Sequence, residues 1–343
     1  MKITAIDLFC GAGGLTHGLQ QVGIDVKAGI DVDACCQFPY ESNNASEFIL
    51  RDVQALTSND LQAMFNSSDI RLLAGCAPCQ PFSTYSQGRR AKKDDDRWKL
   101  LNRFVELVDE CRPELVTMEN VMGLQRHTIF SEFVKRLQGF GYHVNCNILF
   151  GPKYGLPQTR KRLVVLASRL GWPELHKPDS EPVTVRDAIG LIDSLEAGEC
   201  HSTDILHRAS GMSDIQKSRL LASTPGGSWR DWPEHLKAAC HASMDRTSYI
   251  SVYGRMEWDQ PSPTITTQFY GIGHGRFGHP DQLRAITPRE AAILQGFPAH
   301  YSFFKEPEDF AFNRAGRMIG NAVPVPLGAL IGESFTTHVN TRA

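Results

Sequence analysis

The sequence predicts an α/β protein: a doubly wound, mostly parallel sheet joined to a second, smaller domain. Three observations carry this. Short apolar runs alternate with stretches of helical spacing through the first half of the chain, the pattern of parallel strands linked by crossover helices. A glycine-rich turn, Cys10-Gly11-Ala12-Gly13-Gly14, stands directly between the first run and the first helix. After Arg169 the character changes, with Pro, Gly, His and Trp becoming frequent and helical periodicity weakening. The first domain is therefore expected over 1–169 and the second over 170–315, with a closing segment at 316–343.

In order, 3–9 reads as a strand and 15–22 as a helix, with Leu15, Leu19 and Val22 at helical spacing. Glycines in the turn between them let backbone come close to a ligand, and the helix start offers unpaired N–H groups. The strand at 26–30 ends at Asp31, twenty positions beyond Gly11. An acid at that place accepts hydrogen bonds from ribose hydroxyls in nucleotide-binding units; a plain turn and a solvated acid are the bland reading. A strand at 48–53 carries Asp52, whose carboxylate could accept from an adenine amino group or simply end the strand. A helix at 60–65 and a strand at 70–74 follow.

That strand runs into Gly75-Cys76-Ala77-Pro78-Cys79-Gln80-Pro81-Phe82-Ser83. Pro78 removes a donor and fixes a dihedral, so the strand ends before Cys79. A thiol is thus set on a turn at a strand's C-terminal edge, where open α/β sheets bind ligands. Three readings compete: a buried free cysteine, a redox pair with Cys76 at thioredoxin-like spacing, or a nucleophile. The segment 84–97 has no apolar periodicity and carries Arg89, Arg90, Lys92 and Lys93 before three aspartates. It is either a solvated charge run or a loop that closes over a bound polyanion.

A helix at 98–108 precedes a strand at 115–118 that ends in Glu119-Asn120-Val121. In a parallel sheet Glu119 and Cys79 share one edge, and a carboxyl beside a thiolate can protonate a substrate heteroatom. A helix at 130–137 and strands at 142–150 and 163–168 complete this half. Arg160, Lys161 and Arg162 stand before the last strand, either in a solvated loop or gripping phosphate or a carbonyl oxygen. Further on, Trp229, Trp232, Trp258, Arg230, Arg246 and Arg255 interleave aromatics with arginines, which suits nucleic acid but also a small core. Cys200-His201 and Cys240-His241 fit no metal-ligand spacing, and no metal is expected. Helices are expected at 289–295 and 325–335.

Bulk properties narrow the class. A 41% apolar and 22% charged chain is ordinary for a soluble protein. A net charge of −2 leaves no overall field for polyanions, so a nucleic-acid surface would be a local basic patch. Nine irregularly spaced cysteines and no secretory signal point to reduced thiols in the cytoplasm. No apolar run approaches membrane-spanning length.

With these pieces in place the chain resembles the cytosine-5 DNA methyltransferase family. The motifs stand in the family's order: Asp7-Leu8-Phe9-Cys10-Gly11-Ala12-Gly13-Gly14, then Pro78-Cys79-Gln80 with Phe82-Ser83, then Glu119-Asn120-Val121. Gln158-Thr159-Arg160-Lys161-Arg162, Arg289-Glu290-Ala291 with Leu294-Gln295-Gly296-Phe297-Pro298, and Gly320-Asn321-Ala322-Val323-Pro324 follow. Two departures are Cys76-Ala77, where Gly-Phe is frequent, and Val32, where an aromatic often follows the motif acid.

The resemblance implies a Rossmann-like fold that uses S-adenosylmethionine to methylate carbon 5 of a flipped-out cytosine in duplex DNA. It makes Cys79 the nucleophile, Glu119 the group at N3, and Arg162 with Arg160 the holders of the cytosine oxygen and the carboxylate. Phe9, Gly11, Gly13, Asp31 and Asp52 would contact the cofactor, with Asn321 and Val323 completing its pocket. Gln80, Ser83, Arg89 and Arg90 would lie on the loop that meets DNA. The closing helix must then return to the first domain, and the unmatched stretch 170–283 would read the target sequence. The redox reading of Cys79 explains neither Glu119 nor the arginines. The expected setting is a monomer beside a cognate restriction endonuclease or defence-system proteins without a stable complex, or a solitary enzyme. A transfer RNA substrate keeps the chemistry, and a non-catalytic DNA-binding protein keeps only the fold.

Overall fold

The structure is a computed structural model that describes residues 2–65, 69–78, 97–177, 180–238, 241 and 250–341. The chain divides into two compact units. The first comprises Met1–Tyr154, Lys161–Ser180 and Ala322–Ala343, the second Gly155–Arg160 and Glu181–Asn321. The boundaries differ from those read in the sequence. A cut after 315 would sever the helix Phe312–Gly320, whose glycines lie on the backbone of Thr266 and Thr267 in the second unit. Residues 170–180 stay with the first unit, where the His176 N–H donates to Ser334 Oγ at 2.9 Å.

The first unit is built on a seven-stranded sheet. Its strands are β1 (Ile3–Leu8), β2 (Asp25–Asp31), β3 (Glu47–Leu50) and β4 (Ile70–Gly75), followed by β5 (Leu115–Val121), β6 (His143–Phe150) and β7 (Lys161–Ser168). The order is β3-β2-β1-β4-β5-β7-β6. The first five strands run parallel, and β7 is antiparallel to both β5 and β6. Every residue of β1 is buried, as expected of a strand covered on both faces. One face carries Leu107, Phe104 and Val105 of helix Arg97–Cys111 with Phe133 of helix Thr128–Gly139. The other carries Leu15 and Leu19 of α1 (Gly14–Gln21) with Leu327, Ile331 and Phe335 of the closing helix Val325–Asn340.

The closing helix approaches α1 through glycines. A Cβ on Gly18 would lie 2.3 Å from the Val325 carbonyl oxygen, and one on Gly328 would lie 2.9 Å from that of Leu15. Backbones this close exclude any side chain, so the two glycines set the crossing and return the C-terminus to the first unit.

Among its described residues the second unit has short helices and isolated bridges in place of a sheet. Polar groups supply much of its order. Arg284 and Glu290 form a fully buried pair, and Thr287 caps the helix Pro288–Leu294 through Glu290. Arg255, 6% exposed, donates to the carbonyls of Leu220, His279 and Gln282. Trp229 and Trp232 are core residues, and His241 stacks on Trp229. Thus three of the six aromatics and arginines offered as nucleic-acid contacts, Trp229, Trp232 and Arg255, are interior; Arg230 is exposed, Trp258 is half-buried under Arg186, and Arg246 is outside the described residues. No described helix is long and apolar enough to cross a membrane.

Candidate active site

The parallel register places two strand ends side by side. Leu8 of β1 pairs with Gly75 of β4, and Gly75 with Met118 of β5. A Cβ on Gly75 would press on the Leu8 carbonyl at 2.9 Å and the Phe104 ring at 3.0 Å, so a glycine is required where β4 leaves the sheet. The segment Cys76-Ala77-Pro78 is then tied down. The Cys76 N–H donates to the Leu8 carbonyl at 3.3 Å, and Asn120 Nδ2 donates to the Ala77 carbonyl at 3.0 Å. Cys79, Gln80, Ser83, Arg89 and Arg90 lie outside the described residues.

Glu119 follows Met118 and is 3% exposed. A carboxyl this deep needs partners, and it has one on each side. The Cys76 thiol donates to Oε2 at 3.0 Å. Arg162 Nε lies 2.9 Å from Oε1, an ion-pair distance, yet Oε1 has no aligned hydrogen-bond partner among the described residues. The antiparallel register explains the arginine: Val121 pairs with Arg162, so the beginning of β7 stands at the end of β5.

Arg160 departs from the expectation that it shares this carboxylate with Arg162. It is 3% exposed and donates from Nη1 to the Ile265 carbonyl at 3.0 Å and from Nη2 to the Gly320 carbonyl at 3.3 Å, all within the second unit. Its neighbour Gln158 is fully buried, donating to Leu294 and Gln295 and accepting from the Ile265 N–H. The physical reason is desolvation: a guanidinium that cannot reach water takes the unpaired carbonyls around it.

The glycine-rich turn lies at the same edge. Phe9 at φ 60°, Gly11 at 53° and Gly13 at 91° all occupy left-handed backbone, which costs Phe9 about 1–2 kcal/mol. No atom comes within 4 Å of a Cβ built on Gly11. The Asp31 carboxylate accepts from the Gly11 N–H and the Asp33 N–H, both at 2.9 Å, which leaves lone pairs on each oxygen. Val32, 72% exposed, follows it, and Leu50, 54% exposed, pairs with it in β3. Two exposed apolar side chains beside a strand-end acid are the setting for a flat ring. Asp52 is exposed and caps its own turn through the Gln54 N–H at 2.9 Å. Asn321 is exposed at the end of helix Phe312–Gly320 in the second unit. Val323 is 6% exposed in the core of the first unit, so it offers backbone, not a side chain.

Sequence reasoning missed Asp7. It is 1% exposed, accepts from Thr16 Oγ1 at 2.8 Å and has no partner at Oδ1 among the described residues. Burial pushes its carboxyl up to about 7 against the opposing hydrogen bond from Thr16. Its place in the glycine-loop motif was the available signal. Cys76 was read as a departure or a redox partner, and nothing in spacing pointed to Glu119. Among the described residues no cluster of His, Cys, Asp or Glu could hold a metal ion.

Comparison with known proteins adds the following. The profile of C-5 cytosine-specific DNA methylases matches residues 3–337. Type II methylase M.HgiDII of Herpetosiphon aurantiacus is 46% identical over 337 residues, covering 96% of this chain and 94% of that protein. Type II methyltransferase M1.HphI of Haemophilus parahaemolyticus is 31% identical, covering 97% of this chain and 87% of that one. Among solved structures, a prophage-encoded E. coli protein assigned as a DNA modification methyltransferase superposes with a TM-score of 0.73 at 24% identity, covering 99% of this chain and all of that one. Spodoptera frugiperda DNMT2 gives 0.65 at 17% identity, covering 98% of this chain and 99% of that one. At such identities the structural likeness speaks for the fold.

Proposed function

The chain belongs to the C-5 cytosine-specific DNA methylase family and is a DNA (cytosine-5) methyltransferase, and from that premise we propose that Cys79 bonds covalently to a flipped-out cytosine of duplex DNA held by Glu119 and Arg162. Carbon 5 of cytosine is a poor nucleophile. Attack of the Cys79 thiolate forms a bond from sulfur to carbon 6 and moves the electron pair of the 5,6 double bond to carbon 5. Glu119 meets N3 and delivers a proton or a hydrogen bond there. The Arg162 guanidinium holds the carbonyl oxygen and keeps the carboxyl in place. After methyl transfer, loss of the carbon-5 proton to water restores the 5,6 double bond and expels the thiolate, and N3 returns any proton it took to Glu119.

Glu119 is the observation that carries this reading. A carboxyl that only joined two strands would satisfy both oxygens; here Oε1 lacks a hydrogen bond among the described residues although Arg162 Nε is 2.9 Å away. The residues also suit the cofactor. When bound, S-adenosylmethionine supplies an electrophilic methyl group on its sulfonium. Phe9, Gly11 and Gly13 would receive it through backbone, Asp31 through its spare lone pairs, and Asp52 at the adenine edge, between exposed Val32 and Leu50. Asn321 and the Val323 backbone complete the set. Arg160 acts as a positioning residue, fixing the turn that ends at Arg162.

The target atom is out of reach in a stacked duplex, so the base leaves the helix. In this reading the 80–97 loop meets DNA through Gln80, Ser83, Arg89 and Arg90, and the second unit reads the sequence. The names of the Type II relatives favour a modification enzyme of a restriction or phage-defence system. It would work as a cytoplasmic monomer, without a stable complex with its endonuclease.

A mechanism-based trap tests this. Duplex DNA carrying 5-fluorocytosine cannot lose fluorine as a cation, so incubation with the protein and S-adenosylmethionine should leave a denaturant-resistant complex mapped to Cys79. Cys79→Ala should form none and still bind DNA. A link at Cys76, or a complex in Cys79→Ala, would overturn the assignment. Methylation of RNA in preference to duplex DNA would overturn the substrate.

A further inference from the structure

Cys76 departs from the family's frequent residue, and its thiol lies on the buried carboxyl. Its sulfur is 3.0 Å from Glu119 Oε2. Its own N–H is fixed on Leu8, and the next carbonyl is fixed by Asn120, so the backbone that carries the thiol is held at that strand end. The two oxygens of Glu119 therefore differ: Oε2 accepts from sulfur, while Oε1 has no aligned partner. An S–H donor is weak in water but stronger in a site this dry.

We propose that Cys76 is a positioning residue for methyl transfer, its thiol donating to Glu119 Oε2 so that Oε1 is the oxygen presented to N3 of the cytosine. The inference rests on the reading of Glu119 as the group at N3. With Oε2 occupied as an acceptor, Oε1 is the oxygen through which the carboxyl meets N3. Cys76 forms no bond to substrate and carries no redox chemistry in this role. A serine would keep the donor; an alanine would remove it.

Steady-state methylation of duplex DNA by the full chain separates the possibilities. Cys76→Ala should lower kcat about tenfold, the worth of one buried hydrogen bond, with KM for DNA and S-adenosylmethionine within about twofold. Cys76→Ser should return kcat to within about threefold of the parent. Infrared difference spectra of parent minus Cys76→Ser should show an S–H band below the free-thiol frequency, and that band should rise in a Glu119→Gln background. Parental kcat in Cys76→Ala, equal losses in the alanine and serine variants, or a band at the free-thiol frequency would overturn the proposal. If the alanine variant does not fold, the serine variant and the band decide. Full activity in Glu119→Gln would instead sink the reading of Glu119, while the band still reports the Cys76 contact.

Discussion

Arg284→Met asks whether a buried charge pair holds the second unit together. Arg284 is fully buried and donates from Nη1 and Nη2 to the two oxygens of Glu290, each at 2.7 Å. Two unit charges about 2.7 Å apart attract by about 6 kcal/mol at an effective dielectric of about 20. Desolvation of both ions offsets part of that, and stranding one partner typically costs about 3–5 kcal/mol. Glu290 would keep the Thr287 N–H at 2.7 Å and His279 Nε2 at 3.7 Å. The imidazole cannot replace the guanidinium, because burial holds His279 down to about 4 and it is neutral at pH 7. Calorimetry at pH 7 should show the second-unit transition lowered by about 10 °C. Duplex DNA binding should be lost once the second unit has melted. Adding Glu290→Leu should recover much of the loss, since no charge is then stranded. A single variant that melts within about 2 °C of the parent, or a double variant no more stable than the single one, would refute the reasoning.

Three further expectations follow from the first unit. Gly13→Val should weaken S-adenosylmethionine binding by tenfold or more in calorimetry while costing the fold only about 1–2 kcal/mol, because φ is 91° where the backbone is proposed to meet the cofactor; parental affinity would count against that loop. Gly18→Ala should destabilise by about 3 kcal/mol or more in chemical denaturation, since its Cβ would lie 2.3 Å from the Val325 carbonyl and 2.5 Å from the Ala329 nitrogen; an unchanged midpoint would show that the two helices can separate freely. Asp7 has a folded-state value raised by burial to about 7, against about 3.9 unfolded. Its contribution to stability is thus fully present below about 4 and is lost as pH rises to about 7. Relative to the parent, Asp7→Asn should flatten that decline by up to about 4 kcal/mol between these limits; parallel pH curves would contradict it.

Local patterns made the first unit legible. A strand buried on both faces reads as a continuous apolar run, and a helix on a sheet repeats its apolar residues every three to four positions. The strands β1, β2, β4 and β5 and the helices beside them were therefore visible within a few residues. So was the glycine turn, because left-handed backbone favours glycine. Glu119 could be placed at the sheet's C-terminal edge because parallel strands share one.

What the sequence withheld depends on register and close approach. That β7 runs antiparallel decides that Arg162, not Arg160, stands beside Glu119; two positions of sequence carry one guanidinium to a carboxylate and the other to the carbonyls of Ile265 and Gly320. Spacing offered Cys76 only a redox reading, which left Glu119 and the arginines unexplained; the neighbouring strand end puts its thiol on Glu119. The Gly18 and Gly328 crossing that seats the returning helix on its neighbour is written in absent side chains that no hydrophobic period records. The second unit was least legible because buried charges and backbone carbonyls organise it in place of a repeating apolar face. Such pairings join residues far apart in sequence and exist only once the chain has brought them out of water.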